Sequence, residues 1–170
     1  MGDSAMNSNV DFEIWNHNDR GGLSDTFKNT QGQDNITGNT DSLETASNTW
    51  VIVFNETNYY GDSMQVGPST YLDDLNHTTR YNSSGSDEGD WKNQIQSFVL
   101  YKTKPSYWGR NPTRDELFAP PSGHAVFTEN NNFLGDNRTF TAPYNALNLG
   151  GVGYMTSGTE MYRTTGGTIN

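Results

Sequence analysis

The chain has 170 residues, a formal net charge of −10 and a mean hydropathy of −0.83. Lysine and arginine total only 10 and do not cluster, which argues against nucleic acid or an anionic membrane as a partner, because both require a basic surface. There is no cysteine, which excludes disulfides and thiolate chemistry, and no apolar run approaches the roughly 20 residues of a membrane span.

The apolar residues are few but grouped into short runs at 50–54, 97–101 and 124–127. Between these runs, glycine, asparagine, threonine and serine dominate, and these residues favour turns or strands over helix interiors. Strands that bury one face against a second layer suit such a thin core. The pattern predicts an all-β fold.

Residues 1–49 are the hardest to assign. The N-terminal residues 1–13 have neither the basic nor the apolar part of a signal peptide, so we expect no signal peptide, and the localisation is left open. Residues 14–22 (IWNHNDRGG) faintly resemble a block that recurs later in the chain. This region is therefore predicted to be either a degenerate third copy of that unit or an unrelated N-terminal extension.

Residues 50–104 contain the first clear copy of the repeated unit. Val53–Asp62 is an apolar strand followed by a polar loop, an aromatic pair and a Gly-Asp turn, and residues 97–103 form a later strand. A short helical turn is predicted at Tyr71–Leu75. Residues 76–90 are predicted to be a polar surface loop.

Residues 105–122 carry four prolines and are predicted to connect two repeats, with a short helix at 113–118. Tyr107 and Trp108 are bulky aromatic residues in this connector. They fit either a contact with a partner or sugar, or a plug that covers one end of the fold.

Residues 123–170 repeat the earlier pattern. Val126–Asp136 matches Val53–Asp62 with one extra residue, and residues 158–164 match the strand at 97–103. The two similarities occur in the same order, which indicates one duplicated unit.

The repeated block resembles the βγ-crystallin Greek keys. Phe54-x4-Tyr59-x-Gly61 is similar to the aromatic-x4-aromatic-x-Gly signature of that superfamily, and Phe127 to Gly135 matches with one insertion. Residues 91–97 resemble the second signature, in which two Asn or Asp residues precede a Ser/Thr-Ser pair and a strand. The resemblance implies a Greek-key β-sandwich of βγ-crystallin type with extra N-terminal strands.

The same resemblance implies two calcium half-sites. One would combine Glu129 with Gln94 and Gln96. The other would combine Glu56 with Met155 and Ser157. Oxygen ligands of this kind suit Ca²⁺.

Several residues depart from the calcium signature. Lys92 and Gly153 stand where Asn or Asp should begin it, and Gln96 replaces the hydroxyl ligand. A lysine ammonium beside a divalent cation is unfavourable. The expectation is therefore either no cofactor or weakly bound calcium at these residues.

No catalytic constellation rises above chance. The three histidines, His17, His77 and His124, are far apart in sequence, and no metal-binding spacing links them. The acidic cluster at 87–90 is predicted to be a solvated loop, because adjacent carboxylates do not make a pair facing across a cleft. The chain is predicted not to be an enzyme.

Three functions fit these features. The first is a structural or assembly protein, a subunit of a coat, filament or matrix that associates with itself or with protein partners. The second is a calcium-binding module for adhesion, stress or dormancy. The third is a secreted inhibitor or toxin of the same fold.

Overall fold

The computed structural model describes residues 6–36 and 38–117, together with the backbone strands 124–128, 137–141 and 161–165. Strands make up nearly all of its regular structure. The only α-helix in this part of the chain is a single turn, α1 (Arg114–Leu117), and two 3₁₀ turns lie at Thr57–Tyr59 and Leu75–His77. The strands are β1 (Phe12–His17), β2 (Gly21–Phe27), β3 (Gln31–Gln33), β4 (Ser42–Thr45), β5 (Trp50–Phe54), β6 (Ser63–Val66), β7 (Tyr71–Leu72), β8 (Thr79–Tyr81), β9 (Asp87–Asp90), β10 (Ser97–Tyr101), β11 (His124–Thr128), β12 (Asn137–Thr141) and β13 (Met161–Thr165).

Two antiparallel sheets form the body of the fold, and the two halves of residues 12–101 exchange strands between them. One sheet has the order β2-β1-β4-β7, and the other has the order β13-β11-β12-β3-β10-β5-β6. Strand β3 leaves the first half to pair with β10, while β7 leaves the second half to pair with β4. Each half is thus a four-stranded Greek key, and the N-terminal strands β1–β4 supply one half of the sandwich.

The core between the two sheets is aromatic at its centre. Phe12 and Phe27 pack against Phe98 with ring centroids 5.0 and 4.6 Å away, both in edge-on geometry. Aliphatic residues of both sheets and Trp91 surround these rings. Alternate residues of β1 and β5 face this core, Phe12 and Ile14 in β1 and Val51 and Val53 in β5, which is the two-residue period of a strand.

A second apolar cluster covers the other face of β5 and β10. Ile52, Phe54 and Val99 point away from the sandwich core and pack with Tyr107 and Leu117 of the connector. Both faces of these strands are buried, which is why residues 50–54 and 97–101 are continuous apolar runs. Tyr107 is only 3% exposed, so its ring is part of the layer that covers this face of β5 and β10.

The polar segment 76–90 differs from its predicted structure. It forms a hairpin, because β8 pairs with β9, and the Asn82 side chain accepts hydrogen bonds from the Ser84 and Ser86 amides at 2.9 and 3.0 Å. These local bonds supply the order that an apolar pattern does not. The helical turn predicted at Tyr71–Leu75 was also wrong, since the first two residues are in β7 and the 3₁₀ turn begins at Leu75.

The strands β11, β12 and β13 extend the larger sheet. Strand β12 pairs with the free edge of β3, and β11 lies between β12 and β13. In the part of the chain that is described, the all-β fold class predicted from the sequence is confirmed, and no helix there is long and apolar enough to cross a membrane.

Candidate functional site: the paired hairpins and the predicted calcium loops

Two hairpins fold back over the sheets, one in each half. Each of them contains a close contact between an asparagine side chain and a glycine. The Asn16 Oδ1 atom accepts the Leu23 amide at 2.8 Å, and Asn55 Oδ1 accepts the Asp62 amide at 2.7 Å. Gly22 and Gly61 have φ angles of +74° and +81°, and a Cβ on either would lie 2.1 Å from the asparagine oxygen. Both positions therefore require glycine.

A buried serine fastens each hairpin to the last strand of its half, β4 or β10. Ser97 Oγ donates to the Glu56 carbonyl at 2.6 Å and accepts the Tyr59 amide at 3.0 Å. Ser42 Oγ makes the equivalent bonds in the first half, donating to the His17 carbonyl at 2.7 Å and accepting the Arg20 amide at 3.2 Å. The last serine of the second signature thus has a structural role in both halves.

The hairpins differ in what packs on them. Tyr59 is buried and meets Phe54 edge-on, with ring centroids 6.1 Å apart. In the first hairpin Arg20 stands at this position, and its guanidinium lies 3.7 Å from the centre of the Tyr71 ring. The Arg20 Nε donates to Glu44 at 2.8 Å, which raises the pKa of Arg20, while burial and a hydrogen bond to Asp19 raise the pKa of Tyr71 to about 12.

The predicted calcium residues that the structure describes are Glu56, Gln94 and Gln96. The backbone of Gln96 is fully used, because its amide donates to the Phe54 carbonyl at 2.9 Å and its carbonyl accepts the Ile36 amide at 2.7 Å. The Glu56 carbonyl is held by Ser97. Glu129, Met155 and Ser157 lie outside the described residues, so their pairing with these loops stays a prediction.

The residues of the first half that lie beside Gln94 and Gln96 include Gly38 and Thr40. Asn93 donates its amide to the Thr40 carbonyl at 2.8 Å. Asp41 corresponds to Gln96, since its amide bonds to the Trp15 carbonyl as that of Gln96 bonds to Phe54. Sequence reasoning missed Asp41, although the Asp41-Ser42 pair before a strand parallels Gln96-Ser97.

Asp41 is a buried carboxylate in these loops. Its side chain is buried, its Oδ2 lies 3.2 Å from the Lys92 ammonium, and its Oδ1 has no partner among the described residues. Lys92 is therefore already the counter-ion of this carboxylate. Within residues 6–117 as described, no group of three or more His, Cys, Asp and Glu side chains could hold a metal ion.

The chain is similar to several proteins of known structure. No protein-family model and no curated protein matches the chain. A βγ-crystallin domain from Flavobacterium johnsoniae is similar at 14% identity and a TM-score of 0.41, covering 52% of this chain and 91% of that one. One from Clostridium beijerinckii has 14% identity and a TM-score of 0.41, covering 55% and 99%. A βγ-crystallin from an archaeon has 25% identity and a TM-score of 0.38, covering 53% and 95%.

The strand order carries the assignment of the fold. Two four-stranded Greek keys exchange their third strands, and each hairpin is fastened by the serine that begins the last strand of its own half. The sequence resemblance implies a Greek-key sandwich, and the exchanged strands and fastened hairpins are added by the structure. Residues 12–101 therefore form a Greek-key β-sandwich of the βγ-crystallin type.

Proposed function

We propose that this chain is a non-enzymatic structural or assembly protein whose βγ-crystallin-like domain associates with a second copy through the edge of β2. The observation that supports this is the exposure of β2. It is seven residues long, it borders its sheet, and residues 22–26 are all exposed, with Leu23 at 79%. Unpaired edges of this length pair readily with other strands.

The backbone of β2 presents free hydrogen-bonding groups on its outer side. The Leu23 amide bonds inward to Asn16, and the Phe27 carbonyl accepts the Asp11 amide at 2.9 Å. Alternate residues of a strand point their backbone groups in opposite directions, so Ser24 and Thr26 face outward. No described strand pairs with this side of β2.

The opposite edges are covered. Gln65 of the edge strand β6 donates its side-chain amide to the Arg110 carbonyl and accepts the Gly109 amide, both at 2.8 Å. At β7, Tyr71 donates its hydroxyl to Asp19 at 2.9 Å. The connector and the first hairpin thus contact β6 and β7, and β2 differs from these two edge strands because no described strand pairs with its outer side.

The charges of β2 suit pairing with itself. Asp25 is its one charged residue, although the chain carries a net charge of −10. An antiparallel pair centred on Ser24 places Asp25 opposite the Leu23 of the other copy, which avoids direct repulsion between carboxylates. A two-fold dimer of this kind would join two sheets into one and could be the first step of a larger assembly.

The test compares two substitutions at one position. Ser24→Pro removes an outward amide that makes no bond to β1, so it should keep the fold and abolish association. Ser24→Ala keeps the amide and should associate like the wild type. The measurement is mass by light scattering over a wide range of protein concentration, with circular dichroism as a check of folding. A wild type that remains a monomer throughout, or equal association of Ser24→Pro, would refute the proposal.

A further inference from the structure

A cleft of about 380 Å³ lies between three segments that are far apart in the sequence. They are the second hairpin near Tyr60, the β8 end of the β8–β9 hairpin near Tyr81, and the connector at 111–117. Asp41 is not part of this cleft, whose walls include tyrosine rings, hydroxyl groups and side-chain amides. Its volume is that of an ordinary small-ligand site.

Two arginines hold these walls in fixed positions. Arg80 of β8 forms an ion pair with Asp62 of the second hairpin, and its Nη2 donates to the Glu88 carbonyl at 2.7 Å. Arg114 of α1 donates to the Asn58 and Tyr59 carbonyls at 3.0 and 2.8 Å. The cleft is therefore preformed, which reduces the entropy that a ligand must offset on binding.

The cleft gathers two of the three exposed large apolar side chains in the described part of the chain. Tyr60 is 49% exposed and Tyr81 is 54% exposed, whereas the third, Leu23, lies on β2. The Arg114 guanidinium is stacked 4.3 Å from the centre of the Tyr60 ring, so one ring face is covered. This contact orients the ring, and about half of the residue stays exposed.

The rest of the lining combines apolar groups of Phe54, Pro112 and Leu117 with polar groups that are mostly uncharged. Ser63, Ser83, Asn111 and Thr113 contribute to the walls, and the carboxylate of Asp62 is already paired with Arg80. A ligand that fits this set has a flat apolar face for a tyrosine ring and hydroxyl groups for the polar rim. The net charge of −10 disfavours an anionic ligand.

We propose that this cleft binds a neutral saccharide, with sugar rings packed on Tyr60 and Tyr81. The apolar face of a pyranose ring covers a tyrosine ring, while its hydroxyls exchange hydrogen bonds with the serine, threonine and asparagine groups. This binding does not depend on the edge of β2, so a monomeric protein would still bind sugar.

The experiment titrates the full chain with cellohexaose, chitohexaose and mannohexaose, using calorimetry and NMR of the tyrosine rings. At least one sugar should bind. Tyr81→Ala should raise the Kd by about five-fold or more, which corresponds to about 1 kcal/mol, and the Tyr60→Ala/Tyr81→Ala double variant should raise it further. Tyr60→Phe and Tyr81→Phe keep the rings and should bind like the wild type.

Leu23→Ala is the matched control, because it removes an exposed apolar side chain outside the cleft. It should leave sugar affinity unchanged. Thermal melting establishes that each variant is folded, and the single variant Tyr81→Ala serves if the double variant is unstable. Absence of binding to all three sugars, or binding that the tyrosine variants do not weaken, would overturn the proposal.

Discussion

The Tyr107 hydroxyl donates a hydrogen bond to the Tyr101 hydroxyl over 2.6 Å, and Tyr101 in turn donates to the Leu117 carbonyl over 2.7 Å. This chain of bonds joins β10, the connector and α1 inside the second apolar cluster. Burial raises the pKa of Tyr107 to about 12 and that of Tyr101 well above its ordinary value. Ionisation of either tyrosine at alkaline pH should therefore weaken the packing of the connector against β10.

The first prediction is a loss of stability at high pH. Because the folded state raises these tyrosine pKa values, its stability is complete below about pH 10 and falls as the pH rises toward 12 and above. Tyr107→Phe removes one of the two groups and should flatten this decline, at a cost of about 1 kcal/mol near neutrality for the lost hydrogen bond. Urea unfolding at a series of pH values measures both effects. Identical pH profiles for variant and wild type would contradict the assignment.

The second prediction concerns Lys92 and the buried Asp41. Lys92→Met removes the counter-ion of a buried carboxylate and should lower the free energy of unfolding by about 1–2 kcal/mol, a reduced figure because Lys92 is 45% exposed. Adding Asp41→Asn should recover much of that loss. Lys28→Met, at an exposed lysine, should stay within about 0.5 kcal/mol of the wild type. A double variant no better than Lys92→Met would show that the pair is not coupled.

The third prediction tests the hydrogen bonds by which Ser97 and Ser42 fasten the two hairpins. Ser97→Ala leaves the Glu56 carbonyl and the Tyr59 amide without their partner and should cost about 2 kcal/mol. Ser42→Ala should cost a similar amount through His17 and Arg20. Ser86→Ala, in the exposed β8–β9 turn, is the control and should be nearly neutral. Chemical denaturation gives all three free energies of unfolding. A neutral Ser97→Ala would show that the Ser97 hydrogen bonds do not stabilise the hairpin.

The fourth prediction concerns calcium. Lys92 already neutralises Asp41, and Gln94 and Gln96 offer only neutral groups, so millimolar Ca²⁺ should leave the Tm unchanged. Binding to the native state would instead raise the Tm progressively with calcium concentration. Such a rise, absent with Mg²⁺, would support the half-sites predicted at Glu56 and Glu129 over this expectation.

Some features of the site could be read from the sequence because they are local. Phe54, Tyr59 and Gly61 lie within one hairpin, so their spacing fixes which ring packs on which and why glycine is required. Asp41 was missed because its importance comes from burial and from Lys92, which is distant in sequence. The hairpin at 79–90 was missed because side-chain bonds of Asn82, and not apolar periodicity, order it.

The sequence by itself determined the strand class, the glycine positions of the hairpins and the absence of a basic surface, since each depends on residue type and short spacing. Only the tertiary structure decided that residues 12–45 complete the sandwich with residues 50–101, that the edge of β2 is open, and that Tyr60 and Tyr81 share one cleft. These relationships join segments far apart in the chain, and the free energy that selects them comes from long-range packing and pairing, which local patterns do not specify.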